Sequence, residues 1–139
     1  MFTDWERELI ETCRVGRLAT IAFDGRPHLV PVCYALHGKR FAIAIDEKPK
    51  REGELARVRN INRDPRVALL IDRYDDDWNQ LAWLRIDGLA AVFPQGRVEP
   101  GALTALRARY PQYEGMALER LPLILVSVER FSSWRWPTE

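Results

Sequence analysis

Long hydrophobic runs are missing from this 139-residue chain. Its apolar stretches are strand-sized, well short of the roughly 20 residues a membrane helix needs. The opening residues, Met1-Phe2-Thr3-Asp4-Trp5-Glu6, lack a basic segment followed by an apolar one, so no secretory signal is expected. Cysteine is scarce: Cys13 and Cys33 form neither a CxxC pair nor a metal-type spacing, and read as reduced structural thiols. Together these absences predict a cytoplasmic protein with no membrane partner. Charge of one sign is missing too, since 21 Lys+Arg against 20 Asp+Glu leave +1, and no global pull toward nucleic acid follows. Ser127, Ser132 and Ser133 show no nucleophile-elbow pattern, which argues against hydrolase chemistry. Asp72, Asp75, Asp76 and Asp77 crowd one loop, but adjacent acids diverge and no second ligand cluster exists. They read as a solvated loop or as partners of nearby arginines, and no metal is expected.

What is present points to one globular domain, residues 1–139, with 47% apolar residues and five tryptophans to fill a core. Thr3 and Glu6 have capping-box spacing, and Trp5, Leu9, Ile10 and Cys13 continue as a helical apolar stripe. Strands are predicted at 18–23, 28–36, 41–45, 67–71, 81–93 and 123–128, with Asp24-Gly25 and His37-Gly38-Lys39 as tight turns. The first three strands should form a meander. Helices are predicted at 52–62, from Leu55 and Val58, and at 102–110, after Pro100 at its first position. The fold class is therefore mainly β, a six-stranded antiparallel barrel with inserted helices. Strand 28–36 is apolar along both faces, which predicts a covered outer wall, and a second copy of the chain is the expected cover.

The densest signal is Asp46-Glu47-Lys48-Pro49-Lys50-Arg51, at a strand-to-helix junction. From Lys48 to Arg66 there are seven Lys/Arg against three Asp/Glu. Local cations beside a helix start suit a small anionic ligand such as a phosphate. His28 and His37 read as partly exposed structural imidazoles. Arg85 alternates with Trp83 and Asp87 along one strand face, where it either pairs with a carboxylate or faces a groove. Four tryptophans, Trp78, Trp83, Trp134 and Trp136, read as core or interface residues. Arg107 and Arg109 read as plain surface charges. A nucleic-acid-binding barrel would rest on 48–66 alone and lacks the aromatic platform that base stacking needs.

Several words in order carry a family resemblance: Gly16-Arg17-Leu18-Ala19-Thr20, Asp24-Gly25-Arg26-Pro27, Pro31-Val32-Cys33-Tyr34, Lys50-Arg51, and Asn60-Ile61-Asn62-Arg63-Asp64-Pro65-Arg66-Val67. With this layout the chain resembles the pyridoxamine 5'-phosphate oxidase-like flavin-binding split barrels. The words Asp46-x-Lys-Pro-Lys-Arg, Asp72-x-Tyr-Asp-x-Asp-Trp and Trp83-x-Arg85-x-x-Gly88 are similar to the branch often assigned to the deazaflavin coenzyme F-420. Lys50 lies ten residues before Asn60, where many relatives have three, so the resemblance implies a helix about two turns longer.

The resemblance implies a homodimeric oxidoreductase that moves a hydride between coenzyme F-420 and a small-molecule substrate, with no protein nucleophile. FMN is the alternative cofactor, and a non-catalytic flavin- or haem-binding module the alternative function. The cofactor-binding residues it implies are Pro31, Val32, Cys33, Tyr34, Ala44, Ile45, Asp46, Lys50, Arg51, Arg57 and Trp134. No catalytic residue is assigned.

Overall fold

The computed structural model describes residues 1–45 and 55–137. Helix α1 (Asp4–Thr12) opens on the expected capping box: Thr3 accepts from the Glu6 N–H and the Glu6 carboxylate accepts from the Thr3 N–H. Its Leu9 and Ile10 are buried. Strand β1 (Gly16–Ile21) turns back through Gly25, at φ 85, into β2 (Pro27–Val32). Next come β3 (Ala35–His37), β4 (Arg40–Ala44), α2 (Ala56–Arg63), β5 (Arg66–Arg73), β6 (Ala82–Phe93), α3 (Pro100–Arg109) and β7 (Leu123–Arg135). Short 3-10 turns at Pro111–Gly115 and Leu118–Arg120 join α3 to β7.

The described residues hold seven strands, not six, in one antiparallel sheet of order β2-β1-β5-β6-β7-β4-β3. The extra strand arises because the stretch expected as one, 28–36, breaks at Cys33-Tyr34. Its first half pairs with β1 and its second half with β4, so the expected three-strand meander does not form. β2 and β3 are thus opposite ends of the sheet order, yet only two residues separate them. Two residues bridge on the order of 10 Å, so the sheet must curl until its ends meet. The barrel closes through the chain itself, along a seam with no β2–β3 ladder among the described residues.

Inside lie Leu18, Val32, Tyr34, Phe41, Ile43, Leu69, Ile71, Leu84, Ile86, Ile124 and Val126. A second core, with Ala42, Ala44, Leu103, Leu106, Leu123 and Leu125, lies between α3 and the outer face of β4 and β7. The strands buried on both faces are therefore β4 and the start of β7, because α3 covers them. β2, expected to be buried on both faces, alternates instead, with Leu29 66% exposed in the single chain.

Two further boundaries differ from expectation. α2 begins at Ala56, since Leu55 has extended backbone, and the start expected at residue 52 lies outside the described residues. The apolar residues behind that expectation, Leu55 and Val58, lie at or after the true start and could not locate it. β7 runs on to Arg135, absorbing the aromatic tail, with Phe131 opposite Ile86 and Trp134 opposite Trp83. The pair Glu129-Arg130 had masked the strand by interrupting its apolar run. A register shift at Asp87/Gly88 lets the strand continue, and only glycine fits there: a Cβ on Gly88 would lie 2.2 Å from the Ser127 carbonyl oxygen.

Candidate functional site

At the seam, backbone that leaves the sheet must find other partners. Tyr34 is fully buried between β2 and β3, and both its backbone groups meet the Tyr110 hydroxyl at the end of α3. The Tyr34 N–H donates to that oxygen at 3.0 Å, and the hydroxyl lies 3.0 Å from the Tyr34 carbonyl and 2.9 Å from the Arg14 carbonyl. Arg109 Nε donates to the same oxygen at 3.1 Å. One phenol thus replaces the ladder that the seam lacks.

The Tyr34 hydroxyl donates to the Ile10 carbonyl at 2.8 Å and also meets that of Cys13. Burial pushes the Tyr34 phenol well above its ordinary pKa against the pull of Arg109, so at neutral pH it stays a donor. The Arg109 guanidinium stacks 4.7 Å from the Tyr34 ring centroid and donates to the carbonyls of Glu11 and Cys13. It is no free surface charge. Arg107, also expected at the surface, is paired with Glu119 and donates to the carbonyls of Tyr113 and Met116.

Beside this knot a cleft of about 200 Å³ opens, lined by Val15, Pro31, Val32, Cys33, Ala44, Arg57 and Tyr113. β2 brings Pro31 and Val32 to one wall, the seam brings Cys33, and β4 brings Ala44. The first turn of α2 brings Arg57, on the side where a helix N-terminus favours anions. Five of the residues singled out from sequence therefore meet in one place: Pro31, Val32, Cys33, Ala44 and Arg57. Tyr34 and Ile45 do not join them: both point into the barrel core, and the Ile45 N–H donates to the Pro122 carbonyl at 3.1 Å. Trp134 lies on β7, away from the cleft lining. Asp46, Lys50 and Arg51 lie outside the described residues.

A larger lobe of about 430 Å³ neighbours the cleft, sharing Val15, Cys33 and Tyr113 with it and adding Arg14, Tyr110, Gln112 and Met116. Sequence reading missed this lobe. Its residues come from the end of α1 and the irregular turns after α3, where no periodicity marks them; the close pair Tyr110 and Tyr113 was the only cue.

Other sequence features have structural partners. Asn60 is buried and donates to Thr20 Oγ1 at 3.0 Å while accepting from Arg63. Asp64 closes α2 and binds Arg66, whose guanidinium and N–H hold the carboxyl down at about 2. Arg17 pairs with Asp72 at 2.7 Å, and Asp75 and Asp77 accept N–H groups within their own loop. Asp87 takes Arg130 at 3.0 Å and Arg85 at 4.0 Å. Neither His28 nor His37 lines the cleft or its lobe, and His37 packs against Gly101 of α3. Among the described residues no His/Cys/Asp/Glu group is placed to hold a metal, and no helix is long and apolar enough to cross a membrane.

The family model described as pyridoxamine 5'-phosphate oxidase matches residues 2–135. A 5a,11a-dehydrotetracycline/5a,11a-dehydrooxytetracycline reductase from Streptomyces rimosus is 34% identical over 96 residues, spanning 68% of this chain and 66% of that protein, just under two thirds of its length. The haem storage protein HutZ of Vibrio cholerae shares the fold at a TM-score of 0.72 and 16% identity, covering 97% of this chain and 95% of that one. An F420 reductase shares it at 0.64 and 24%, covering 91% and 94%.

Proposed function

Since this chain belongs to the pyridoxamine 5'-phosphate oxidase family, we propose that it is an oxidoreductase whose cleft takes coenzyme F-420, transferring a hydride to or from a small organic substrate. The observation that carries this reading is the convergence of Pro31, Val32, Cys33, Ala44 and Arg57 on one cleft. An apolar wall with a cation at one end fits a flat ring that bears an anionic tail. The name of the Streptomyces rimosus relative supports reductase chemistry, and that of the F420 reductase supports the choice of cofactor. FMN is the alternative within the same cleft.

Such a cofactor, when bound, supplies the two-electron chemistry itself. The chain's own task is to position and shield. Pro31, Val32 and Ala44 give an apolar wall that keeps water off a ring. Tyr110, by fixing Tyr34, holds the seam and with it the place of Cys33. Arg57 would face the anionic part of such a cofactor, and Lys50 and Arg51, with Asp46 before them, extend that basic edge in sequence. About 200 Å³ is less than the roughly 300–1,000 Å³ of a typical ligand site. A second copy packed on β2 would deepen the cleft and cover Leu29, so the working unit is a homodimer, and Trp134 contributes only through that assembly.

Titrating the purified chain with coenzyme F-420 and with FMN tests the reading. Lys50→Ala/Arg51→Ala should weaken cofactor binding by about a hundredfold or more, since each charge-assisted contact is worth about 1.5–3 kcal/mol. The melting temperature without cofactor should stay unchanged. A double variant that binds as tightly as the parent refutes the phosphate role and moves it to Arg57 or Arg59. Tight FMN with no F-420 binding reverses the order of cofactors. Binding without reduction of any quinone, enone or dye favours a non-catalytic module.

A further inference from the structure

We propose that Arg107 is a positioning residue of the cofactor cleft: from the last turn of α3 it holds the irregular segment 111–121, and with it Tyr113, in place as a wall of that cleft. This rests on the cofactor reading above, because Tyr113 matters here as part of the cofactor's surroundings. Tyr113 lines both the cleft and the neighbouring lobe, and Met116 lines the lobe. The segment that carries them is built from two 3-10 turns and, among the described residues, makes no ladder with the sheet. Burial of Tyr113 and Leu118 anchors it, but the two cavities beside Tyr113 contribute no packing there. Its backbone has to supply the rest of the restraint.

Arg107 gives the backbone that restraint. Its Nε donates to the Tyr113 carbonyl at 3.2 Å and its Nη2 to the Met116 carbonyl at 2.7 Å, while Nη1 and Nη2 reach both carboxylate oxygens of Glu119. One planar fork therefore ties residues 113, 116 and 119 to α3, and a bidentate pair fixes direction as well as distance. The same contact holds the Glu119 carboxyl down at about 2, so the pair stays charged through the neutral range. The far end of the segment is tied separately, where the Gly96 N–H donates to the Leu121 carbonyl at 2.9 Å. The end of α3 thus serves two sides of the cleft: Tyr110 fixes Tyr34 beside Cys33, and Arg107 fixes Tyr113.

The test combines titration of the full chain with coenzyme F-420 and with FMN, and hydrogen exchange of its amides without cofactor. Arg107→Met keeps the length of the side chain, and Glu119, half exposed, stays in solvent, so no buried charge is created. The variant should speed exchange across 113–121 at least about tenfold and weaken cofactor binding at least about tenfold, since a wall displaced by about 1 Å can cost that much. Arg107→Lys keeps the charge but not the fork, and should lie nearer Arg107→Met than the parent. Glu6→Gln, which disturbs α1 and touches neither cavity, is the control for general loss of stability; it should bind cofactor within about twofold of the parent.

Unchanged exchange in Arg107→Met overturns the hold on the segment. Faster exchange with affinity as in the parent overturns the role in the cleft. An equal loss of affinity in Glu6→Gln overturns it as well, because destabilisation alone would then account for the effect. Full recovery by Arg107→Lys replaces the fork by charge and overturns the geometric argument. A parent that binds neither cofactor overturns the proposed function, while faster exchange in Arg107→Met leaves the hold on 113–121 standing.

Discussion

At the seam, Tyr34 has its phenol and both backbone groups engaged by α1 and the end of α3, while five residues earlier Leu29 stands 66% exposed on the outer face of β2. The two regions differ in what completes them. The seam lost its ladder where β2 parts from β3, and a single chain supplies every replacement: one hydroxyl, one guanidinium and the carbonyls at the end of α1. The outer face keeps its ladder to β1, but among the described residues nothing buries Leu29 there. Leu29 stands opposite Ala19 on β1, and Phe23, in the turn beyond, is 84% exposed. Polar backbone left unpaired is costly enough to be solved within the chain, whereas apolar side chains can be left for association.

The sharpest way to break this contrast is to charge the open face. We expect the parent to scatter light as a dimer, and Leu29→Asp to raise its dissociation constant at least about a hundredfold, because a twofold interface would bury the charge twice. A parent that stays monomeric at micromolar concentration removes the partner from this face altogether.

The seam should respond in the opposite manner, by losing stability without changing assembly. Tyr110→Phe keeps the ring but strands the Tyr34 N–H and the Arg109 donor, at a cost of about 2–3 kcal/mol in urea denaturation of the cofactor-free chain. A loss below about 0.5 kcal/mol would mean that other groups already satisfy the seam.

A third expectation compares the seam with a second buried polar knot, where Glu6 on α1 meets Ser133 on β7. Burial alone would raise the Glu6 carboxyl, but hydrogen bonds from Ser133 and Thr3 outweigh it and hold it below its ordinary 4.5. A carboxyl lowered by folding adds stability that is complete above its unfolded value and is lost as pH falls through the folded one. Glu6→Gln should therefore cost about 1–2 kcal/mol at pH 7 and progressively less below pH 4.5. A cost independent of pH would show that the charge has no part in it. The smallest effect is expected of Arg26→Ala in the first hairpin: its 3.7 Å pair with Asp24 is open to solvent, and stability should stay within about 0.5 kcal/mol.

Much of the fold was legible in the sequence because local rules were strong there. The capping box at Thr3, the turn at Gly25 and the alternation of β6 were all readable, and each appears in the structure. The start of α2 and the length of β7 were not. In one case the apolar period began only at the true start of the helix; in the other a charged pair concealed a strand that continued past a bulge. For the site, Pro31, Val32, Cys33, Ala44 and Arg57 were chosen through resemblance and do meet in one cleft. Tyr34 came from the same resemblance and does not line the cleft: its side chain lies in the barrel core and its backbone groups meet the Tyr110 hydroxyl.

By itself the sequence determined the strands, the turns between them and the two places where charge or apolar surface exceeds what a solvated domain needs. These follow from side-chain period and backbone propensity, which act over a few residues. Only the tertiary structure decided that residues 28–36 are two strands rather than one, that α3 rather than a partner covers β4 and β7, and that Arg14, Tyr110, Tyr113 and Met116 share one lobe. Those outcomes depend on the curling of the sheet until its two ends meet, which joins residues nearly a hundred positions apart, and no local pattern carries that distance.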